Sequence, residues 1–73
     1  MSQFTVIFSG NTTVGGMTNA INAVHPNDQH YFAPSTYVID LVWSTNPSGI
    51  ANLKAKIQSA IVGPGRVITV SHP

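Results

Sequence analysis

The chain has 73 residues and a formal net charge of +1 at pH 7, carried by two acids, Asp28 and Asp40, and three cations, Lys54, Lys56 and Arg66, with no cysteine and no glutamate. So few charges argue against chemistry built on clustered carboxylates, cationic clamps or thiolates, and against a basic nucleic-acid-binding face. The absence of cysteine removes both a disulfide framework and a thiolate metal site.

A chain of this length forms one small domain, residues 1–73, and buries only ~60% of the surface its unfolded form exposes. With no covalent staple, self-association is the expected source of further buried area, and a homodimer is the first expectation. The N-terminal MSQFTVIFSG lacks a basic region, and no stretch approaches the ~18 apolar residues of a membrane span. The sequence therefore predicts a soluble, cytoplasmic protein with no membrane partner.

In Phe4 to Ser9, Phe4, Val6 and Phe8 alternate with Thr5, Ile7 and Ser9. Both sets are rich in β-formers, the pattern of a central strand. Gly10-Asn11-Thr12-Thr13 breaks it with turn and capping residues, and Val14, Met17, Ile21 and Val24 follow at helical spacing. Gly15 and Gly16 in the first turn each cost roughly 1 kcal/mol relative to alanine. They frame a close backbone approach or leave the helix start frayed. His25-Pro26-Asn27-Asp28 ends the helix, because the residue before proline avoids the helical region.

Gln29 to Ala33 is a short run interrupted by Pro34-Ser35, and Thr36 to Trp43 then alternates Tyr37, Ile39, Leu41 and Trp43 with Val38, Asp40 and Val42. The two runs read as a hairpin or bent pair, with Pro34 placing the first at an edge. Asn46-Pro47 supplies an N-cap and a first-turn proline for a second helix. Its apolar face is Ile50, Leu53, Ile57 and Ile61, and Lys54 and Lys56 lie on its solvent side. Gly63-Pro64-Gly65 stops it, and Arg66 to Val70 is the last strand before the tail Ser71-His72-Pro73.

The order β-α-β-β-α-β predicts an α+β, ferredoxin-like plait: a four-stranded antiparallel sheet with both helices on one face. The first and last strands are expected to be adjacent or central, and the Gln29 to Trp43 region to supply an edge. Apolar residues on both faces of the Thr36 to Trp43 strand leave the helix-free face partly apolar. Val38, Val42 or the Tyr37 to Trp43 row are the candidates to meet a second copy.

FTVIFSG, MTNAINAV, the aromatic run leading into STYVIDLVW, NPSGIANLKAKI and RVITVSHP together resemble the small ferredoxin-like proteins related to the CRISPR adaptation endoribonuclease and its housekeeping relatives. The resemblance covers nearly the whole chain and rests on pattern and order. It implies metal-dependent phosphodiester cleavage by an aspartate at the end of the first strand, paired across a dimer. The matching positions are Ser9, Gly10 and Asn11, so the acid that would hold Mg²⁺ is missing. A repurposed relative fits that departure better than a nuclease does. A weaker resemblance, to propeptide-like inhibitors of subtilisin proteases, would carry over the tail Ser71-His72-Pro73.

Asp40 is an acid inside a strand; buried, it could serve as a base, and otherwise it is a paired or edge aspartate. With Ser9 and Asn11 it makes up the candidate polar site. His25, His30 and His72 have no recognised ligand spacing, so neither metal nor cofactor is expected. The glycines and threonines of residues 10–16 could cradle an anion, but no lysine follows as in a P-loop. Tyr31, Phe32, Tyr37 and Trp43 could stack nucleic-acid bases. Cations lie only on the second helix and at Arg66, so these four aromatics are the candidate surface for a protein partner.

The leading expectation is a non-enzymatic homodimeric interaction module that binds or blocks a protein partner. Its compact form suits a phage or mobile-element protein acting on a host defence complex. The alternatives are a metal-dependent endoribonuclease of the resembled family and a propeptide-type peptidase inhibitor.

Overall fold

The computed structural model describes residues 2–73. The elements follow the predicted order: β1 (Ser2–Phe8), α1 (Val14–Asn22), β2 (Asp28–Phe32), β3 (Thr36–Leu41), α2 (Pro47–Ser59) and β4 (Val67–Ser71). The strands form one sheet in the order β2-β3-β1-β4, and every neighbouring pair is antiparallel. This is the ferredoxin-like plait, with β1 and β3 central and β2 and β4 at the edges.

Strand alternation fixes which face is covered. Phe4, Val6 and Phe8 of β1, Tyr37, Ile39 and Leu41 of β3 and Val67 of β4 are buried with Met17, Ala20 and Ile21 of α1 and Leu53 and Ile57 of α2 in one core cluster. The intervening residues Gln3, Thr5, Ile7, Thr36, Val38 and Asp40 lie on the other face and are half-buried or exposed. Each buried aliphatic or aromatic side chain contributes ~1.5–3 kcal/mol, so this one-sided core carries most of the fold.

Both helices begin on the caps that the sequence suggested. Thr13 Oγ1 accepts the Gly16 N–H at 2.9 Å, and Asn46 Oδ1 accepts the Gly49 N–H at 2.7 Å. The stripe of α1 is rotated from the simple spacing: Val14 is 56% exposed and Ala20 takes a core position. Gly16 resolves the choice between close approach and fraying, since a Cβ there would lie 2.6 Å from the Val62 carbonyl oxygen. Gly65 has φ +106°, and a Cβ on it would meet Thr12 Cα at 2.6 Å. The α2–β4 connection thus runs tightly against the start of α1.

Most element ends differ from expectation by one or two residues, and two of the differences matter for packing. β3 ends at Leu41 and not at Trp43. Trp43 leaves the sheet, half-buried against the core, and its Nε1 donates to the Gly49 carbonyl at 2.7 Å. Ile61 lies beyond the end of α2, because Ala60 already caps the helix. In β4 the register shifts between Ile7 and Phe8, so Ile68 is an extra residue in the ladder.

Candidate functional site

The helix-free face of the sheet has a chemical gradient along the strands. At one end Gln3, Asp40 and Asp28 lie side by side on β1, β3 and β2, because Gln3 pairs with Asp40 and Asp40 with Asp28. His30 is one alternation along β2, opposite Val38. Gln3, Asp28, His30, Val38, Ile39 and Asp40 line a depression of about 350 Å³. At the other end stand Phe32, 55% exposed, and Ile7, 38% exposed, with Thr36 between them in the register.

Both acids of the chain therefore meet at one place. Asp28 Oδ1 accepts the N–H of Gln29 at 2.9 Å, and Asp28 Oδ2 lies 3.1 Å from His30 Nε2. Both of those side chains are largely exposed, so the contact is worth at most ~1 kcal/mol. Like charges directly opposite on neighbouring strands are destabilising, and Lys54 and Lys56 stand on the exposed side of α2, in the other layer.

The four aromatics of the expected binding surface are divided by the sheet. Phe32 is on the open face. Tyr31 is on the helix side at the β2 edge, 38% exposed; its hydroxyl donates to the Pro34 carbonyl at 2.7 Å, and its ring packs 5.2 Å from Tyr37. Tyr37 is only 6% exposed, meets Phe8 edge-on at 6.3 Å and shares a hydrogen bond of 2.8 Å with Thr18 Oγ1. Tyr37 thus backs Tyr31 from the core side, while Trp43 lies beyond the far end of β3, against the core and Gly49. Even spacing along β3 put Tyr37 on the same face as Ile39 and Leu41, and that face is the core.

The polar trio does not assemble as one site. Asp40 is at the opposite end of the sheet from Ser9 and Asn11, because β1 and β3 are antiparallel. The Ser9 hydroxyl donates to Asn11 Oδ1 at 2.7 Å and accepts the Arg66 N–H at 2.9 Å. Its one proton being spent on Asn11, the 3.0 Å contact with Thr12 Oγ1 is donated by the threonine. The Ser9 N–H also donates to the Arg66 carbonyl at 2.8 Å. At the end of β1 the Ser9 hydroxyl thus has its donor and acceptor capacity filled by Asn11 and Thr12 of its own loop and by Arg66 from the segment before β4.

His25 lies in the α1–β2 connection with φ +49°, His30 is on β2, and the His72 Nδ1 is 3.1 Å from the Gln3 carbonyl. Among the described residues no three His, Cys, Asp or Glu side chains are grouped to hold a metal ion. The same bond to Gln3, with the His72 ring 5.6 Å from Phe4, holds the C-terminal tail against β1. Thr13 already occupies the start of α1.

Sequence reasoning missed the pairing of Asp28 with Asp40. The signal was present: each lies six residues from Pro34, so a hairpin centred on that proline places them opposite one another. It also missed Ile7 and Ile68, each 38% exposed. No helix is long and apolar enough to cross a membrane among the described residues. Compared with family models, curated proteins and solved structures, the chain matches none.

Proposed function

We propose that this chain is a non-enzymatic protein-interaction module, paired as a small homodimer, that takes a protein partner along the β2 edge. The observation that carries the reading is β2 itself: it is an edge strand, and all five of its residues, Asp28 to Phe32, are exposed. An edge strand offers backbone N–H and C=O groups to which an extended segment can add as a further strand. Natural edges are commonly blunted by lysine or an inward charge; β2 carries no lysine and ends in Tyr31 and Phe32. Aromatic side chains beside a nearly uncharged edge match the composition of protein interfaces. Main-chain pairing would supply affinity, and the two aromatics selectivity.

The test is capture of a binding protein from the native host, with exchange of β2 amides followed in the complex. Wild-type protein should recover a partner and protect the amides of residues 28–32. Gln29→Lys or Phe32→Lys should lose it, while Lys54→Gln on the exposed side of α2 should not. A partner retained by both edge variants overturns the edge reading. Cleavage of RNA or DNA in Mg²⁺ or Mn²⁺ that is abolished by Asp40→Asn overturns the non-enzymatic one.

A further inference from the structure

The charges of the open face lie at diagonally opposite corners. Asp28 and Asp40 sit where β2 starts and β3 ends. Arg66 immediately precedes β4 and extends its ladder opposite Ser9, whose N–H donates to the Arg66 carbonyl. Val67 faces the core, so alternation puts the exposed Arg66 on the open side. Within one copy the whole sheet separates Arg66 from the two carboxylates, and Lys54 and Lys56 are in the helical layer. Between the corners the face offers Ile7, Val38, Thr5, Thr36, Phe32 and His30, without a lysine or arginine.

We propose that this face is the interface with a second copy of the chain, the two sheets crossing near a right angle so that the Asp28–Asp40 corner of each lies over Arg66 of the other. The proposal rests on the homodimer part of the reading above and is independent of the β2 edge. A two-fold axis in the interface, running along the other diagonal from Phe32 towards Ser71, exchanges the charged corners. Each contact then occurs twice, as an isologous interface requires. Orthogonal packing is one of the two stable arrangements of stacked sheets. The second copy brings to each carboxylate pair a guanidinium, where its own copy offers only the exposed His30 contact to Asp28.

Area sets the strength. Four strands ~4.8 Å apart and up to seven residues long at ~3.4 Å each give a face of roughly 19 by 24 Å. Crossed near a right angle, two such faces overlap over about 19 by 19 Å and bury roughly 700 Å² in total, below the ~1,000 Å² of a stable specific interface and in the range of weak, transient association. The dimer is therefore weak and reversible.

Sedimentation over a concentration series tests the arrangement by complementation. Wild type should pass from monomer to dimer as the concentration is raised towards about 1 mM. Arg66→Asp alone, and the pair Asp28→Asn with Asp40→Arg, should each raise the dissociation constant at least tenfold. An equimolar mixture of the two variants should restore dimers, because each then presents to the other the opposite charge at both corners. These positions are solvent-accessible, and circular dichroism checks that each variant is folded. A wild type that stays monomeric at 1 mM, a dimer indifferent to both variants, or a mixture that fails to reassemble overturns the interface. Partner capture by Gln29→Lys reads the edge alone, so loss of either surface is recognised separately from loss of the other.

Discussion

Gly15 and Gly16 are adjacent in the first turn of α1, yet alanine should act on them in opposite directions. A Cβ on Gly15 meets nothing within 4 Å, so Gly15→Ala gains helix propensity and loses unfolded-state entropy, stabilising by about 0.5–1 kcal/mol. A Cβ on Gly16 would lie 2.6 Å from the Val62 carbonyl oxygen and 3.0 Å from Thr13 Oγ1. The first neighbour is backbone, and the second is the capping atom that accepts the Gly16 N–H. Relieving the overlap costs about 1–3 kcal/mol as overpacking, and loosening the cap adds about 0.5–2 kcal/mol. Against a propensity gain of at most ~1 kcal/mol, Gly16→Ala is net destabilising by about 1–3 kcal/mol. In a domain of this size each kcal/mol shifts the melting temperature by roughly 4–8 °C. Urea and thermal unfolding of the two variants should straddle the wild type. Equal shifts in the same direction would refute the packing of α1 against the segment before Gly63.

Three further outcomes follow from single contacts. Tyr37→Phe removes the bond to Thr18 Oγ1 and should cost about 0.5–1.5 kcal/mol in urea unfolding while leaving partner capture unchanged, since Tyr37 is buried. Asn46→Ala removes the acceptor for the Gly49 N–H and should cost about 0.5–2 kcal/mol, seen as a lower urea midpoint at constant slope. Asp40→Asn should stabilise the monomer by about 0.2–1 kcal/mol in low salt, since it removes one of two facing charges; a gain that does not shrink as salt is raised would contradict a like-charge origin.

The six elements were legible because each has a local signature: Thr13 and Asn46 as caps, Gly63-Pro64-Gly65 as a stop, and alternation in Phe4 to Phe8 and Tyr37 to Leu41. Strand ends were less so. Trp43 continues the alternation in sequence, but its indole N–H finds the Gly49 carbonyl off the sheet, a tertiary contact without local trace. The same limit divided the aromatic surface: spacing groups Tyr37 with its neighbours, whereas burial depends on which face the helices cover. The acidic pair is a matter of register, and register follows from where a hairpin turns.

β1 lies at the centre of the sheet, between β3 and β4, although it is the first strand in the chain. The hydroxyl of Ser9 is tied to Arg66, so the first strand is not secured on that side until the last one arrives. During synthesis the FTVIF segment must wait for partners some thirty and sixty residues downstream. Such long-range pairing slows folding and leaves an apolar strand with two open edges in the interval. With so little charge in the chain to keep nascent copies apart, the speed of closure between residues 9 and 66 becomes a determinant of yield, and substitutions at Ser9 should reduce recovery of folded protein more than their equilibrium cost alone would indicate.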